Sequence, residues 1–327
     1  MDFKKIFQGI LVFLGFVFVI GFFWWGMQWF SYSLENFFQL KLSQEQDKFL
    51  ASLAPEQNII AEKSFPIKIE GMGELESGAE SAISVQSDLN PPAGGPGKII
   101  FSKNEDAKVP VASLTKLITA EVVLENFDLT AKIHISKLAE EQDTRGYLKA
   151  GESFIAKDLL YDMLIESDNA AAYAFAEAMG YDSFIKIMNL KANEAGMKNT
   201  YFSSPTGLGL TNYSSAKDLV AFAEYILKKD SPILKITLIP EFDLLNYNGS
   251  FHHRALNLND LLKDASLKDR IVAGKTGETK DAKQCLFLII KAPEGRGYLI
   301  NVVLGAGDRF LEMKKIINWT DSSYQWK

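Results

Sequence analysis

The pattern of apolar and charged positions divides the chain into an uncharged N-terminal run and a longer region of mixed composition. No charged residue occurs in 6–30. At about 1.5 Å per residue, a helix of this length crosses the ~30 Å hydrocarbon core of a bilayer. Lys4 and Lys5 precede the run, whereas two lysines face three acidic residues in 31–50. The positive-inside rule therefore predicts a single-pass helix with residues 1–5 in the cytoplasm.

A cleaved signal peptide is the alternative for this segment. Residues 31–33 form the small-x-small pattern of a cleavage site. The apolar run is, however, about twice as long as a signal-peptide core, which favours a retained membrane anchor. The sequence therefore predicts a protein of the cytoplasmic membrane with the rest of the chain outside.

The remaining sequence predicts a linker followed by one folded domain of the α+β class. Residues 31–78 mix polar residues with short apolar runs and contain Pro55 and Pro66, which is typical of a stalk or linker, and the domain is expected over 79–327. β-rich runs predict strands at 81–85, 98–101, 242–247, 250–256, 270–275, 285–291 and 298–304. Apolar residues at helical spacing predict helices at 113–127, 157–179, 182–195 and 215–229. Strands near both ends with helices between them indicate one sheet shared by the terminal strands and a mainly helical middle.

Composition and charge exclude several classes of function. Apolar residues make up 47% of the 327 positions and charged residues 23%, which is ordinary for a globular protein. The formal net charge is −6 and no long basic cluster occurs, so nucleic acid is not an expected partner. A single cysteine, Cys285, excludes an internal disulfide, and with only three histidines we expect neither a metal nor another cofactor.

The first motif with residues suited to catalysis is Ser113-Leu-Thr-Lys116, at the start of a predicted helix. Residues three apart share a helix face, so the serine hydroxyl and the lysine amine can form a hydrogen bond. Serine is a weak nucleophile until a base removes its proton, and a desolvated lysine can be that base. Alone, the pattern is also typical of a helix-capping serine followed by an exposed lysine.

Two further motifs lie downstream. Ser167-Asp-Asn169 offers a hydroxyl that can carry a proton and an amide that can bind a peptide. At the end of an apolar run, Lys275-Thr276-Gly277 offers a cation and a hydroxyl for a carboxylate, and its glycine lets a substrate backbone approach the strand. Each motif alone is weak evidence of function, because helix caps and turns contain the same residue types.

The order of S-x-x-K, S-D-N and K-T-G resembles that of class A β-lactamases and penicillin-binding proteins. The stretches at 109–120, 196–207 and 273–279 look like those of the D-alanyl-D-alanine carboxypeptidases, the low-molecular-weight penicillin-binding proteins. The resemblance covers 81–327. It implies the β-lactamase/transpeptidase-like fold, in which an antiparallel sheet packs with helices beside a helical subdomain.

The resemblance also implies a serine-type carboxypeptidase that removes the terminal D-alanine from peptidoglycan stem peptides and is inhibited by β-lactams. It implies catalytic roles for Ser113, Lys116 and Ser167, and substrate binding by Asn169, Lys275, Thr276, Gly277 and the backbone of Glu278. Ser113 would form the acyl-enzyme, Lys116 would be its base and Ser167 would pass a proton to the leaving group.

Three other functions remain open at this point. A D,D-endopeptidase on peptidoglycan crosslinks would use the same residues. A β-lactamase is less expected, because no E-x-x-L-N segment follows the second motif. A penicillin-recognising sensor or scaffold without turnover is the non-enzymatic alternative. We expect structural positions for Glu166 and for His252 and His253, whose side chains should point to opposite faces of a strand.

Overall fold

The computed structural model describes residues 65–87, 97–142 and 145–326, which belong to a compact unit from Ser64 to Lys327. The membrane helix predicted at 6–30 and the linker up to residue 64 lie outside the described residues. In the described ranges, no helix has the length and apolar character needed to cross a membrane.

The elements follow the predicted order of strands, helices and strands. The strands are β1 (Ile67–Lys68), β2 (Ser81–Ser87), β3 (Lys98–Lys103), β4 (Val109–Pro110), β5 (Lys132–His134), β6 (Ser153–Ile155), β7 (Tyr213–Ser214), β8 (Glu241–Leu245), β9 (Phe251–Leu256), β10 (Ile271–Thr279), β11 (Lys283–Lys291), β12 (Tyr298–Ala306) and β13 (Tyr324–Gln325). The helices are α1 (Thr115–Asn126), α2 (Lys137–Gln142), α3 (Ala156–Ile165), α4 (Asn169–Met179), α5 (Tyr181–Glu194), α6 (Ala216–Lys228), α7 (Ile233–Ile236) and α8 (Arg309–Ser323).

A five-stranded antiparallel sheet in the order β10-β11-β12-β2-β3 forms the centre of the fold. Strands from both ends of the unit therefore share one sheet, and this part of the predicted α+β class is confirmed. Successive side chains of a strand point to opposite faces. Along β11, Phe287 and Ile289 join the larger apolar cluster, whereas Leu286 and Leu288 join the smaller one with Met313 of α8. Both faces of the sheet are thus covered, which explains the nearly continuous apolar runs.

The folded unit begins earlier than the boundary expected at residue 79. β1 pairs with β13, so Ile67 lies opposite Gln325. The Trp319 indole N–H donates to the Gly73 carbonyl over 2.9 Å, and the backbone N–H of Gly78 donates to Glu312 over 2.8 Å. Residues 65–78 therefore pack on the domain through backbone pairing and polar contacts, which leave no apolar periodicity in the sequence.

One predicted helix, at 157–179, is in fact two. α3 ends at Ile165 and α4 begins at Asn169, with the second motif in the turn between them. The Asp168 carboxylate accepts a hydrogen bond from the Ala171 N–H over 2.7 Å and caps α4, and Ser167 has a positive φ of 67°. Capping and the positive φ break the helix, although the apolar spacing continues through it.

Candidate active site

Ser113 lies in a 3₁₀ turn that leads directly into α1. The preceding residue, Ala112, has a positive φ of 47°, a conformation that costs free energy and occurs often at functional sites. Gly207 packs against this turn. A Cβ on Gly207 would lie 1.9 Å from the Ala112 carbonyl oxygen, so only glycine fits there. The turn that presents Ser113 is therefore held by the chain packed against it.

Lys116 lies one helical turn beyond Ser113 and is fully buried. Its ammonium donates hydrogen bonds to Ser113 Oγ at 3.0 Å, to Asn169 Oδ1 at 2.6 Å and to the Thr206 carbonyl at 2.9 Å. Burial lowers the pKa of Lys116 to about 7; Asp168 opposes this shift and Arg145 adds to it. Near neutral pH, the amine can therefore take a proton from the serine.

Ser167 and Lys275 form a second hydroxyl-amine pair. Lys275 Nζ donates to Ser167 Oγ over 2.8 Å and to the Thr276 carbonyl over 3.1 Å. Lys275 is also buried, and its pKa lies well below the ordinary value because of burial and the neighbouring Lys116 and Arg309. The Lys116 ammonium therefore disfavours a second ammonium at Lys275.

β10 carries the third motif along an edge of the main sheet. Among the described strands only β11 pairs with β10, and the opposite side of β10 faces the turn of Ser113. A Cβ on Gly277 would lie 3.1 Å from the Ser113 backbone nitrogen, which shows how closely strand and turn approach. Arg309 donates to the Gly277 carbonyl and to the Glu278 carboxylate, each over 2.8 Å, and so braces the end of this strand.

These elements surround a cleft with a volume of about 550 Å³. All eight residues that the sequence singles out lie in or beside this cleft. Its lining includes Ser113, Ser167, Asn169, Thr276, Gly277 and Glu278. Lys116 and Lys275 lie behind this lining and are joined to it by the hydrogen bonds described above. Their catalytic and binding roles stay predictions.

Sequence reasoning missed three residues of this site. Arg145 and Arg309 line the cleft, and the Thr206 carbonyl bonds to Lys116. The arginines lie in unremarkable stretches of sequence, and the pairing of β10 with β11 and the start of α8 bring Arg309 to the strand end. Thr206 belongs to the stretch at 196–207 that carries part of the resemblance, which is the one signal that points to it.

The antiparallel sheet, the helical middle and the Ser-Lys pair at their junction define the fold and site of a penicillin-binding protein of the low-molecular-weight class. Residues 75–308 match the family model described as D-alanyl-D-alanine carboxypeptidase. The chain belongs to this family.

Several relatives support the assignment. The chain is 33% identical over 264 residues to the D-alanyl-D-alanine carboxypeptidase DacF of Bacillus subtilis, a match that covers 77% of this chain and 64% of that protein. It is 33% identical over 239 residues to the D-alanyl-D-alanine endopeptidase of Pseudomonas aeruginosa, covering 69% of this chain and 74% of that one. The crystal structure of the Streptomyces K15 DD-transpeptidase superposes with a TM-score of 0.67 at 27% identity, over 77% of this chain and 100% of that one.

Proposed function

We propose that this protein is a serine-type D-Ala-D-Ala carboxypeptidase that removes the terminal D-alanine from peptidoglycan stem peptides. The observation that carries the proposal is the Lys116 amine, buried and within 3.0 Å of Ser113 Oγ. Family membership supports the same substrate class.

In the acylation step, neutral Lys116 takes the proton of Ser113 while Oγ attacks the carbonyl carbon of the penultimate D-alanine. The backbone N–H groups of Ser113 and Glu278 donate to the oxyanion that forms. Removal of one such donor generally costs about 3 kcal/mol of transition-state stabilisation. Lys275 and Thr276 bind the terminal carboxylate, and Asn169 holds the peptide.

Collapse of the tetrahedral intermediate breaks the C–N bond and requires a proton on the leaving nitrogen. Ser167 supplies it, and Lys275 sits 2.8 Å away to replace it. D-alanine leaves as a neutral amine, and water then hydrolyses the ester on Ser113. A β-lactam acylates the same oxygen, but its leaving group stays attached to the adduct.

A D,D-endopeptidase is the second candidate, since the Pseudomonas aeruginosa relative carries that name at the same 33% identity. The same residues would serve, and the difference would lie in whether the leaving group is free D-alanine or a crosslinked chain. A β-lactamase and a non-catalytic sensor have no comparable support.

The uncharged run at 6–30, with Lys4 and Lys5 before it, supports a cytoplasmic-membrane anchor with the catalytic domain outside. This placement puts the cleft on the side of the membrane where peptidoglycan lies.

Intact-protein mass spectrometry of the full-length chain in a mild detergent tests the function. Incubation with benzylpenicillin should add the mass of the drug, and Ser113→Ala should stay unmodified. A pentapeptide ending in D-Ala-D-Ala should lose one D-alanine, and a crosslinked dimer should be cut more slowly. Faster cutting of the dimer would favour the endopeptidase. A folded protein with neither an adduct nor any turnover would refute the enzymatic proposal.

A further inference from the structure

A buried cluster of charges lies beside Ser167 and is not used in the mechanism above. Asp162 and Glu166 are one helical turn apart at the end of α3, so both carboxylates face the same way and both are almost completely buried. Two such carboxylates repel each other unless a cation lies between them. His253 of β9 occupies that place, with Nε2 3.3 Å from Asp162 Oδ1 and 3.1 Å from Glu166 Oε2.

The neighbours of His253 fix the orientation of its ring. Tyr147 stacks on it at a centroid distance of 4.6 Å and an interplanar angle of 17°. His253 Nδ1 lies 2.8 Å from His252 Nδ1, and His252 Nε2 lies 3.2 Å from Glu152. The expectation that the two histidines point to opposite faces is therefore wrong, because hydrogen bonds and stacking bring the rings together.

The acidic neighbours of His253 favour the protonated form of its imidazole. Burial lowers the pKa of His253, but the hydrogen bond with Glu166 and the charges of Glu166 and Asp162 outweigh this and raise it to about 10. Burial raises the pKa of Asp162, and the charge of His253 opposes that shift. A protonated His253 donates Nε2–H towards the carboxylates and Nδ1–H to His252 Nδ1. Every ring N–H thus has an acceptor.

Glu166 connects this cluster to the catalytic turn. It caps the end of α3 and immediately precedes Ser167, whose φ of 67° is positive. One oxygen of Glu166 contacts His253, and the other accepts a hydrogen bond from Arg145 over 2.9 Å. With both oxygens held, the end of α3 cannot rotate freely. The Ser167 hydroxyl is then presented to Lys275 from a fixed position.

We propose that His253 is a positioning residue for Ser167: its cation holds Asp162 and Glu166 together and thereby places the hydroxyl that protonates the leaving nitrogen. This inference rests on the proposed peptidase function. It assigns the cluster to the C–N bond-breaking step, not to substrate binding or to attack by Ser113.

The same three side chains are also a possible ligand set for a divalent cation, since their donor atoms lie within 4.8 Å of one another. Charge balance favours the proton. The two carboxylates are already opposed by His253 and by Arg145, which pairs with Glu166. The experiment separates the two possibilities.

The test compares two substrates that differ only in the leaving group: a stem peptide ending in D-Ala-D-Ala and its D-Ala-D-lactate ester. An amide nitrogen must be protonated before it leaves, whereas a lactate oxygen depends less on a proton donor. For full-length His253→Gln, we expect kcat on the amide to fall about 10- to 100-fold. We expect KM to change little and the ester to lose much less. Ser167→Ala defines the amide-to-ester ratio expected when the proton donor is lost.

His134→Gln is the matched control, because it makes the same change at an exposed histidine of β5. It should leave both substrates unaffected. Asp162→Asn combined with His253→Gln removes one repelling carboxylate and should recover part of the amide activity. Thermal melting and circular dichroism establish that each variant is folded, and the double variant provides the kinetic test if the single one does not fold.

Equal losses on amide and ester, or no loss on either, would overturn the proposal. Loss of wild-type amide activity on dialysis against EDTA, with recovery on adding Zn²⁺, would also overturn it in favour of a metal site. A wild-type protein inactive on both substrates would instead refute the peptidase function.

Discussion

Two pairs of lysines in this protein have opposite pKa shifts. Lys116 and Lys275 in the cleft are fully buried and donate to hydroxyl, amide and carbonyl oxygens, and burial lowers the pKa of both. Lys191 and Lys229 lie between α1, α5 and α6 and contact glutamates. Burial opposes ionisation there too, but the carboxylates raise both pKa values.

The difference lies in the partners. Lys191 is 2.6 Å from Glu125, and Lys229 is 2.7 Å from Glu121. No carboxylate oxygen among the described residues is hydrogen-bonded to Lys116 or Lys275. The charge of Asp168 raises the pKa of Lys116, but its Oδ1 caps α4. This site therefore makes a base by burying a lysine among uncharged acceptors.

The largest effect should come from removing the base. Lys116→Met should slow acylation by benzylpenicillin about 1,000-fold, because the proton of Ser113 then has no acceptor. Lys116→Arg should be similarly slow, since a guanidinium stays protonated. Intact-protein mass spectrometry over time gives the rate, and rapid acylation of either folded variant would contradict the role of Lys116.

A carboxylate introduced beside Lys116 should raise its pKa, as glutamates do for Lys191 and Lys229. Asn169→Asp places a carboxylate where the amide oxygen now lies 2.6 Å from Lys116 Nζ. The pKa of Lys116 should rise, and acylation at pH 7 should fall about fivefold for the first unit of rise and about tenfold for each further unit.

The pH profile distinguishes this effect from simple damage. In the wild type the acylation rate should rise with pH and level off above about pH 7, as Lys116 loses its proton. In Asn169→Asp the rise should move to higher pH, with activity recovered in alkaline buffer. An unshifted profile with a uniformly lower rate would show that the new carboxylate does not act through the pKa of Lys116.

Carboxylates raise the pKa of His253, as they do for Lys191 and Lys229. Its pKa is raised to about 10 from 6.5, so its stabilising contribution is fully present below pH 6.5 and is lost as pH rises towards 10. Wild-type stability to urea should therefore decline more steeply over this window than that of His253→Gln. Parallel curves for the two proteins would contradict a charged His253.

The smallest effect on activity should come from the pair Lys191 and Lys229. Lys229→Gln should cost about 1 to 3 kcal/mol of stability, because the buried Glu121 loses its cation but keeps the hydrogen bond from Ser231. Its acylation rate should equal that of the wild type. A large loss of activity would show that the two lysine pairs are coupled.

The sequence predicts local features of this fold better than it predicts contacts between distant segments. The strands at 81–87 and 283–291 follow from apolar, β-branched runs, and the three motifs bring their residues to one cleft. Arg145 and Arg309 could not be found, because no local periodicity marks a side chain placed by packing. Asn248-Gly249, between the strand-like runs at 242–247 and 250–256, is typical of a type I′ turn. Gly249 has a φ of 82° but the φ of Asn248 is not positive, so the turn between β8 and β9 is of another type.

The protonation state of Lys116 decides which way its hydrogen bond with Ser113 points. An ammonium has three hydrogens and satisfies all three oxygens, those of Ser113, Asn169 and Thr206. A neutral amine has two hydrogens and one lone pair, so one oxygen must give up its hydrogen bond or reverse it. The amide and carbonyl oxygens can only accept, whereas the serine hydroxyl can also donate. Loss of one proton from Lys116 therefore turns the Ser113 hydrogen towards the amine, and the resting hydrogen bonds already select the nucleophile.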